Sequence, residues 1–225
     1  MRRLFDEELA DLDASFTEMG MLVSETIGKS VVAFVNHDRE TALEIIKSDE
    51  QINQREVAIE KKTFEMIALY QPVTIDLREI VTVLKAVSEL ERMGDHARDV
   101  AEATIRVKGT KRSAEIEETI AQMGEQTRQM VKDILGVYVN DDAQAASIIA
   151  ANNVNVGELS HKVRLDVIAS IERDSELATS GTDYLIVAGH LKRIADYVTN
   201  IAEWIVYKRT GKIVDLNPGN SSSFV

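Results

Sequence analysis

Apolar residues recur at intervals of three and four along most of this chain, the period of a helix with one buried face. The pattern begins near Leu4 and runs to about Val35, where Asn36, His37 and Asp38 interrupt it and Asp38 stands ready to cap the next helix. A second stretch runs to Tyr70. Gln71-Pro72 then imposes a turn, because proline disfavours helical geometry in the residue before it, and a third stretch runs from Thr74 to Val107. Lys108 to Lys111 reads as a linker. Beyond it a fourth helix is predicted over Ile116 to Val139, and Asn140-Asp141-Asp142 repeats the earlier interruption. A fifth is expected to end near Ala178, where Thr179-Ser180-Gly181 breaks the pattern, and a sixth to run from Asp183 to Arg209.

The two halves of this series are related. LERMGDHARDVAE at 90–102 recurs as LKRIADYVTNIAE at 191–203, an offset of 101, while Met19-Gly20 and Val35-Asn36 recur as Met123-Gly124 and Val139-Asn140 at an offset of 104. One helical unit used twice implies an all-α protein, a tandem pair of similar three-helix bundles with six long antiparallel helices. The expected boundaries are 1–108 for the first bundle and 112–210 for the second. The segment 211–225, ending NPGNSSSFV, has little to bury and is expected to be a disordered tail. Gly94 and its counterpart Ala195 fall in the apolar arc of their helices, where a small side chain lets a neighbouring helix come close.

Composition narrows the function classes. Hydrophobic residues make up 44% of 225, with only 2 Pro and 11 Gly, so long helices can run uninterrupted. A formal net charge of -12 offers no broad basic surface for nucleic acid or anionic lipid and favours cationic partners, metal ions among them. The absence of Cys removes thiol chemistry and thiolate metal sites. No apolar run approaches the roughly 18 residues that span a bilayer, and the amino terminus turns acidic before any signal-like core, so a cytoplasmic protein without an integral membrane segment is expected.

The candidate chemistry lies in acidic stripes. Glu91, Asp95, Asp99 and Glu102 share one face of the third helix beside its apolar arc, and Asp49, Asn53, Glu56 and Glu60 form a similar stripe on the second. Oxygen ligands converging from two helices are what a hard divalent or ferric ion requires. Salt bridges from Arg92, Arg98 and Arg106 would account for the same stripe without metal. In the second half Asp196, Asn200 and Glu203 remain, but Lys192 stands at the position of Glu91 and the partner stripe becomes Asn153, Gly157, Ser160 and Arg164, so weaker binding or none is expected there.

LERMGDHARDVAE, LKRIADYVTNIAEWIVYKRTGK and the amino-terminal FDEELADLDASFTEMG together resemble the PhoU family of phosphate-signalling proteins, over positions 4 to 212. The resemblance implies two tandem three-helix bundles and metal bound by acidic motifs that map onto Glu91, Asp95 and Asp99, with Asp196 and Asn200 in the second repeat. Iron is the foremost metal it implies; zinc, manganese or magnesium are the alternatives. It further implies a cytoplasmic negative regulator of phosphate uptake and of the phosphate-starvation response. The implied contacts are with the ATPase of a phosphate ABC transporter and with a phosphate-sensing histidine kinase, and the implied assembly is a homodimer.

Other readings compete. A metal-free helical scaffold would show the acidic stripe paired by arginines, and an accessory regulator of a different phosphate transporter is the nearest functional variant. A di-iron carboxylate enzyme usually carries two Glu-x-x-His motifs. This chain has one, Glu158 to His161, and His96 beside Asp95 has the wrong spacing, so no enzyme is expected. His37, His161 and His190 read as surface or internally satisfied polar residues. Trp204, Tyr207, Lys208 and Arg209 read as packing or as part of a partner surface.

Overall fold

A computed structural model describes residues 2–107 and 109–217, with nothing given of the Arg2 side chain. Among the described residues there are helices and no strands. They are α1 Arg2–Asn36, α2 Arg39–Ser48, α3 Glu50–Tyr70, α4 Thr74–Arg106, α5 Ala114–Asn140, α6 Ala143–Ala151, α7 Asn153–Arg173 and α8 Ala178–Thr210, with a 3-10 turn at Ser175–Leu177.

The helix-forming signals act locally as expected. On α1 the residues Phe5, Leu9, Leu12, Phe16, Met19, Val23, Ile27, Val31 and Phe34 are buried, a stripe at spacings of three and four sustained over a 35-residue helix about 52 Å long. Asp38 caps α2 by accepting from the backbone N–H groups of Glu40 and Thr41 at 3.1 Å, and Asp142 caps α6 from Gln144 and Ala145 at 3.0 Å. Gln71 closes α3 in the left-handed region at φ 48°, its N–H bonded to Ile67 O.

Two expectations on element boundaries are corrected. The second helix of each half is two helices, α2 and α3 divided at Asp49 and α6 and α7 divided at Asn152. Both dividing residues keep right-handed helical dihedrals, so no turn chemistry marks the break. Thr179-Ser180-Gly181 does not break the chain; it lies inside α8. A Cβ on Gly181 would stand 3.0 Å from Val167 Cγ1 and Ile171 Cδ1, so this glycine permits close packing against α7.

The helices α1, α4, α5 and α8 pack on one another through the middle of the molecule, with α2 and α3 flanking the first repeat and α6 and α7 the second. One continuous apolar core therefore serves both repeats. The seam between repeats has approximate twofold symmetry that the sequence offsets reveal. A Cβ on Gly124 would meet Val31 Cγ1 and Cγ2 at 2.6 Å, and one on Gly20 would meet Leu135. Gly20 and Gly124, like Val31 and Leu135, are 104 apart, so α1 and α5 cross antiparallel through equivalent residues. Within the first bundle Gly94 admits Ile52, whose Cδ1 lies 2.9 Å from where a Cβ would stand.

A buried polar cluster locks the connection between repeats. The Arg112 guanidinium pairs with Glu117 and donates from Nη2 to Phe34 O at 3.0 Å and from Nε to the Tyr184 hydroxyl at 3.2 Å. Tyr184 donates in turn to Glu117 Oε1 at 2.9 Å and accepts from the Ser113 N–H at 2.8 Å. The end of α1, the start of α5 and the start of α8 thus meet at one ion pair. The tail expectation is partly corrected: Leu216 packs against the core and its N–H donates to Glu203 Oε1 at 2.8 Å. Residues 218–225 of that tail, and Lys108 of the expected linker, lie outside the described residues.

Candidate functional site

The acidic stripes of the first repeat face each other where α4 crosses α2 and α3. Arg98 stands among them. It donates from Nη1 to Asp49 Oδ2 at 2.9 Å, lies 3.0 Å from Asp95 Oδ1, and reaches Asp99 and Glu102 at 3.7 and 3.8 Å. Arg106 draws Glu102 from the other side at 3.9 Å and bonds Asp183 at 3.1 Å. Four of the predicted ligands, Asp49, Asp95, Asp99 and Glu102, are thus shared with an arginine of the same surface. Asn53 is half-buried on α3, its N–H bonded to Asp49 O at 3.4 Å.

Glu91 and Glu56 are differently placed. Arg92, the nearest arginine in sequence, turns to Glu89 at 3.4 Å. Burial first, and then the charges of Asp95, Glu56 and Asp49, together lift the Glu91 carboxyl from 4.5 to about 7, with Arg92 opposing. Burial also raises Glu56, against a hydrogen bond from Ser88. Excess negative charge therefore collects around Glu56, Glu91 and Asp95. These are hard oxygen donors from two helices, the type a hard cation takes, although their ligand atoms do not all come within 4.8 Å of one another.

In the second repeat the equivalent oxygens have partners within the chain. Lys192, at the position of Glu91, pairs with Asp196, and Asn153, at the position of Asp49, donates to Asp196 Oδ1 at 2.8 Å and to Thr199 Oγ1 at 3.2 Å. Asn200 Nδ2 donates to Glu89 Oε2 at 3.3 Å, and Glu203 receives Leu216 and Asn217. Lys192 supplies a cation to this donor set from the chain itself, so the set fits internal pairing rather than a bound metal.

Sequence reasoning missed a third group. Among the described residues, the three whose ligand atoms all lie within 4.8 Å of one another are His96, Asp99 and His190. His96 Nδ1 is 2.9 Å from His190 Nδ1, and each is 3.5 Å from Asp99 Oδ2. Burial lowers the pKa of His96 against the pull of Asp99. It lowers that of His190 as well, with Asp99 opposing and His96, Arg193 and Arg106 adding to the shift. Burial thus disfavours the charged form of both rings. No spacing within one helix reveals this group, because His190 arrives from α8. Trp204 and Tyr207 pack edge to face at 5.7 Å, and Lys208 pairs with Glu79 at 2.6 Å, so these residues make contacts within the molecule.

Comparison with known proteins follows the same outline. A family model described as PhoU domain matches residues 16–104 and 120–205, once in each repeat. The chain is similar to a protein of Streptococcus pneumoniae serotype 4 named phosphate-specific transport system accessory protein PhoU homolog, at 37% identity over 96% of this chain and 100% of that protein. It is similar to a Clostridium acetobutylicum protein of the same name at 34% identity over 96% and 99%. Among solved structures, the phosphate transport system regulatory protein PhoU of Streptococcus pneumoniae superposes with a TM-score of 0.88 at 37% identity, covering 94% of this chain and 99% of that one. PhoU of Pseudomonas aeruginosa superposes with a TM-score of 0.86 at 28% identity, covering 92% and 100%. With a duplicated motif, a shared core and full-length relatives all in agreement, this chain belongs to the PhoU family.

Proposed function

We propose that this protein is a non-enzymatic accessory regulator of phosphate transport that holds phosphate uptake and the phosphate-starvation response in check when phosphate is plentiful. The observation that carries this reading is the match along both repeats to relatives whose names assign them to phosphate-specific transport. The regulator works at the cytoplasmic face, as a homodimer, through contacts with the ATPase of a phosphate ABC transporter and with a phosphate-sensing histidine kinase. No helix of the described residues is long and apolar enough to cross a membrane, in keeping with a peripheral contact.

Metal binding in the first repeat belongs to the same reading. Glu56, Glu91 and Asp95 would hold a divalent or ferric ion, iron foremost, with Asp49, Asp99 and Glu102 yielding to it from Arg98. The contrast between repeats supports this: the second repeat carries Lys192 where the first carries Glu91, a carboxyl set among the charges of Asp95, Glu56 and Asp49. The ion would supply the positive charge that Lys192 supplies on the other side.

Deleting the gene should switch on phosphate-starvation genes in phosphate-rich medium, with repression restored by the wild-type copy; unaltered repression in the deletion strain would contradict the regulatory reading. Arg98, which bridges the acidic stripe, favours a second reading as a metal-free scaffold. That reading shares the deletion phenotype and differs in metal content.

A further inference from the structure

The offset of 101 that relates the repeats pairs His96 with Tyr197, Asp99 with Asn200, and Glu89 with His190. All six residues lie where α4 crosses α8. His96 stacks on its own counterpart, Tyr197, with ring centroids 5.6 Å apart and planes 6° from parallel, which places the local symmetry axis between them. The axis generates two related triples. In one, Asn200 donates to Glu89 and an ordinary side-chain hydrogen bond results. In the other the same three positions carry two imidazoles and a carboxylate.

Two of the three edges of that second triple are those of a tetrahedral coordination shell, and the third is shorter. Ligands about 2.0–2.1 Å from a tetrahedral ion stand about 3.3–3.5 Å from one another. The triangle of His96 Nδ1, His190 Nδ1 and Asp99 Oδ2 has edges of 2.9, 3.5 and 3.5 Å. Two imidazole nitrogens at 2.9 Å share either a proton or a cation, because two bare lone pairs at that distance repel. A shared proton would explain that edge alone, whereas a cation explains why one carboxylate oxygen is equidistant from both rings.

We propose that His96, Asp99 and His190 form a site for a single divalent transition-metal ion of the zinc or ferrous class, bridging the two repeats, centred apart from Glu56, Glu91 and Asp95 and sharing only Asp99 with the acidic stripe. Two imidazoles select late first-row ions over magnesium or calcium. The outer contacts suit the role: Tyr197 fixes the plane of His96, and Arg98 lies 3.7 Å from Asp99 Oδ1, leaving Oδ2 to the metal. The three side chains are 15, 20 and 30% exposed, so solvent reaches the remaining coordination position. With ligands from both α4 and α8, the ion would clamp the seam between repeats.

The test is Zn2+ titration of untagged, chelator-stripped protein against a chromophoric competitor, using wild type, His190→Gln, His96→Gln and Glu91→Gln. Wild type and Glu91→Gln should retain a tight Zn2+ site. Either histidine variant should weaken it by more than the roughly 10–100-fold typical of an outer-shell change. A His190→Gln titration that overlays wild type would overturn the proposal, as would loss confined to Glu91→Gln, which assigns the zinc to the acidic cluster. Should both histidine variants fail to fold, the imidazole 15N resonances of wild type decide. His96 and His190 Nδ1 should shift on adding Zn2+, and unchanged resonances would refute the site.

Discussion

Replacing Glu91 by Gln should stabilise the metal-stripped protein above pH 7 and leave it unchanged near pH 4. In the native state burial first, and the charges of Asp95, Glu56 and Asp49 after it, lift the Glu91 carboxyl from 4.5 to about 7, with Arg92 opposing. The folded protein thus holds a proton at Glu91 that the unfolded chain releases at lower pH. The favourable contribution is complete below pH 4.5 and is lost as pH rises through about 7. Glutamine cannot ionise, so the variant escapes that loss. Melting temperatures of the two proteins should coincide at low pH, diverge between pH 4.5 and 7, and run parallel above. Added metal should reverse the order, because an ion that binds only the folded wild type stabilises it by mass action. A difference independent of pH would contradict the assignment of Glu91 as the uncompensated carboxylate.

Arg112→Ala should be the most destabilising single substitution in the connection between repeats. It leaves Glu117, whose side chain is 8% exposed, without its guanidinium and strips Phe34 O of a donor. Breaking a buried pair by removing one partner costs about 3–5 kcal/mol. Tyr184 and His37 still approach Glu117, at 2.9 and 3.2 Å, which holds the expected loss toward the lower end of that range. Against a typical total of about 5–15 kcal/mol this is large. Adding Glu117→Gln should recover part of the loss, since the orphaned charge disappears. Urea denaturation measures both. A loss below about 1 kcal/mol, the scale of an exposed pair, would show that the cluster does not hold the repeats together.

The architecture was legible in the sequence where local chemistry decides it. The apolar stripe of α1, the caps at Asp38 and Asp142, the proline turn after Tyr70 and the equivalence of Gly20 with Gly124 each follow from neighbouring residues. The breaks at Asp49 and Asn152 were not legible, because both residues stay helical in φ and ψ and no turn conformation marks the division. Gly181 was misread because Thr-Ser-Gly has turn composition, whereas its role is contact with Val167 and Ile171.

For the candidate site, periodicity placed Glu91, Asp95 and Asp99 on one face, and the substitution at Lys192 singled out the second repeat as different. It could not show Arg98 turning into the stripe rather than away from it. Nor could it bring His190 to His96, a contact across 94 residues that depends on how α4 crosses α8. The repeat offset is the signal that could have found it, because the equivalents of Asp99 and His190 are Asn200 and Glu89, a complementary donor and acceptor.

The central claim is that the first repeat takes a metal where the second uses its own lysine, and the metal content of protein purified without chelator or affinity tag tests it most directly. Wild type and Asp196→Asn should carry equal transition metal, and Glu91→Gln with Asp95→Asn should lose the share held at that cluster. Equal content in all three proteins would contradict the claim.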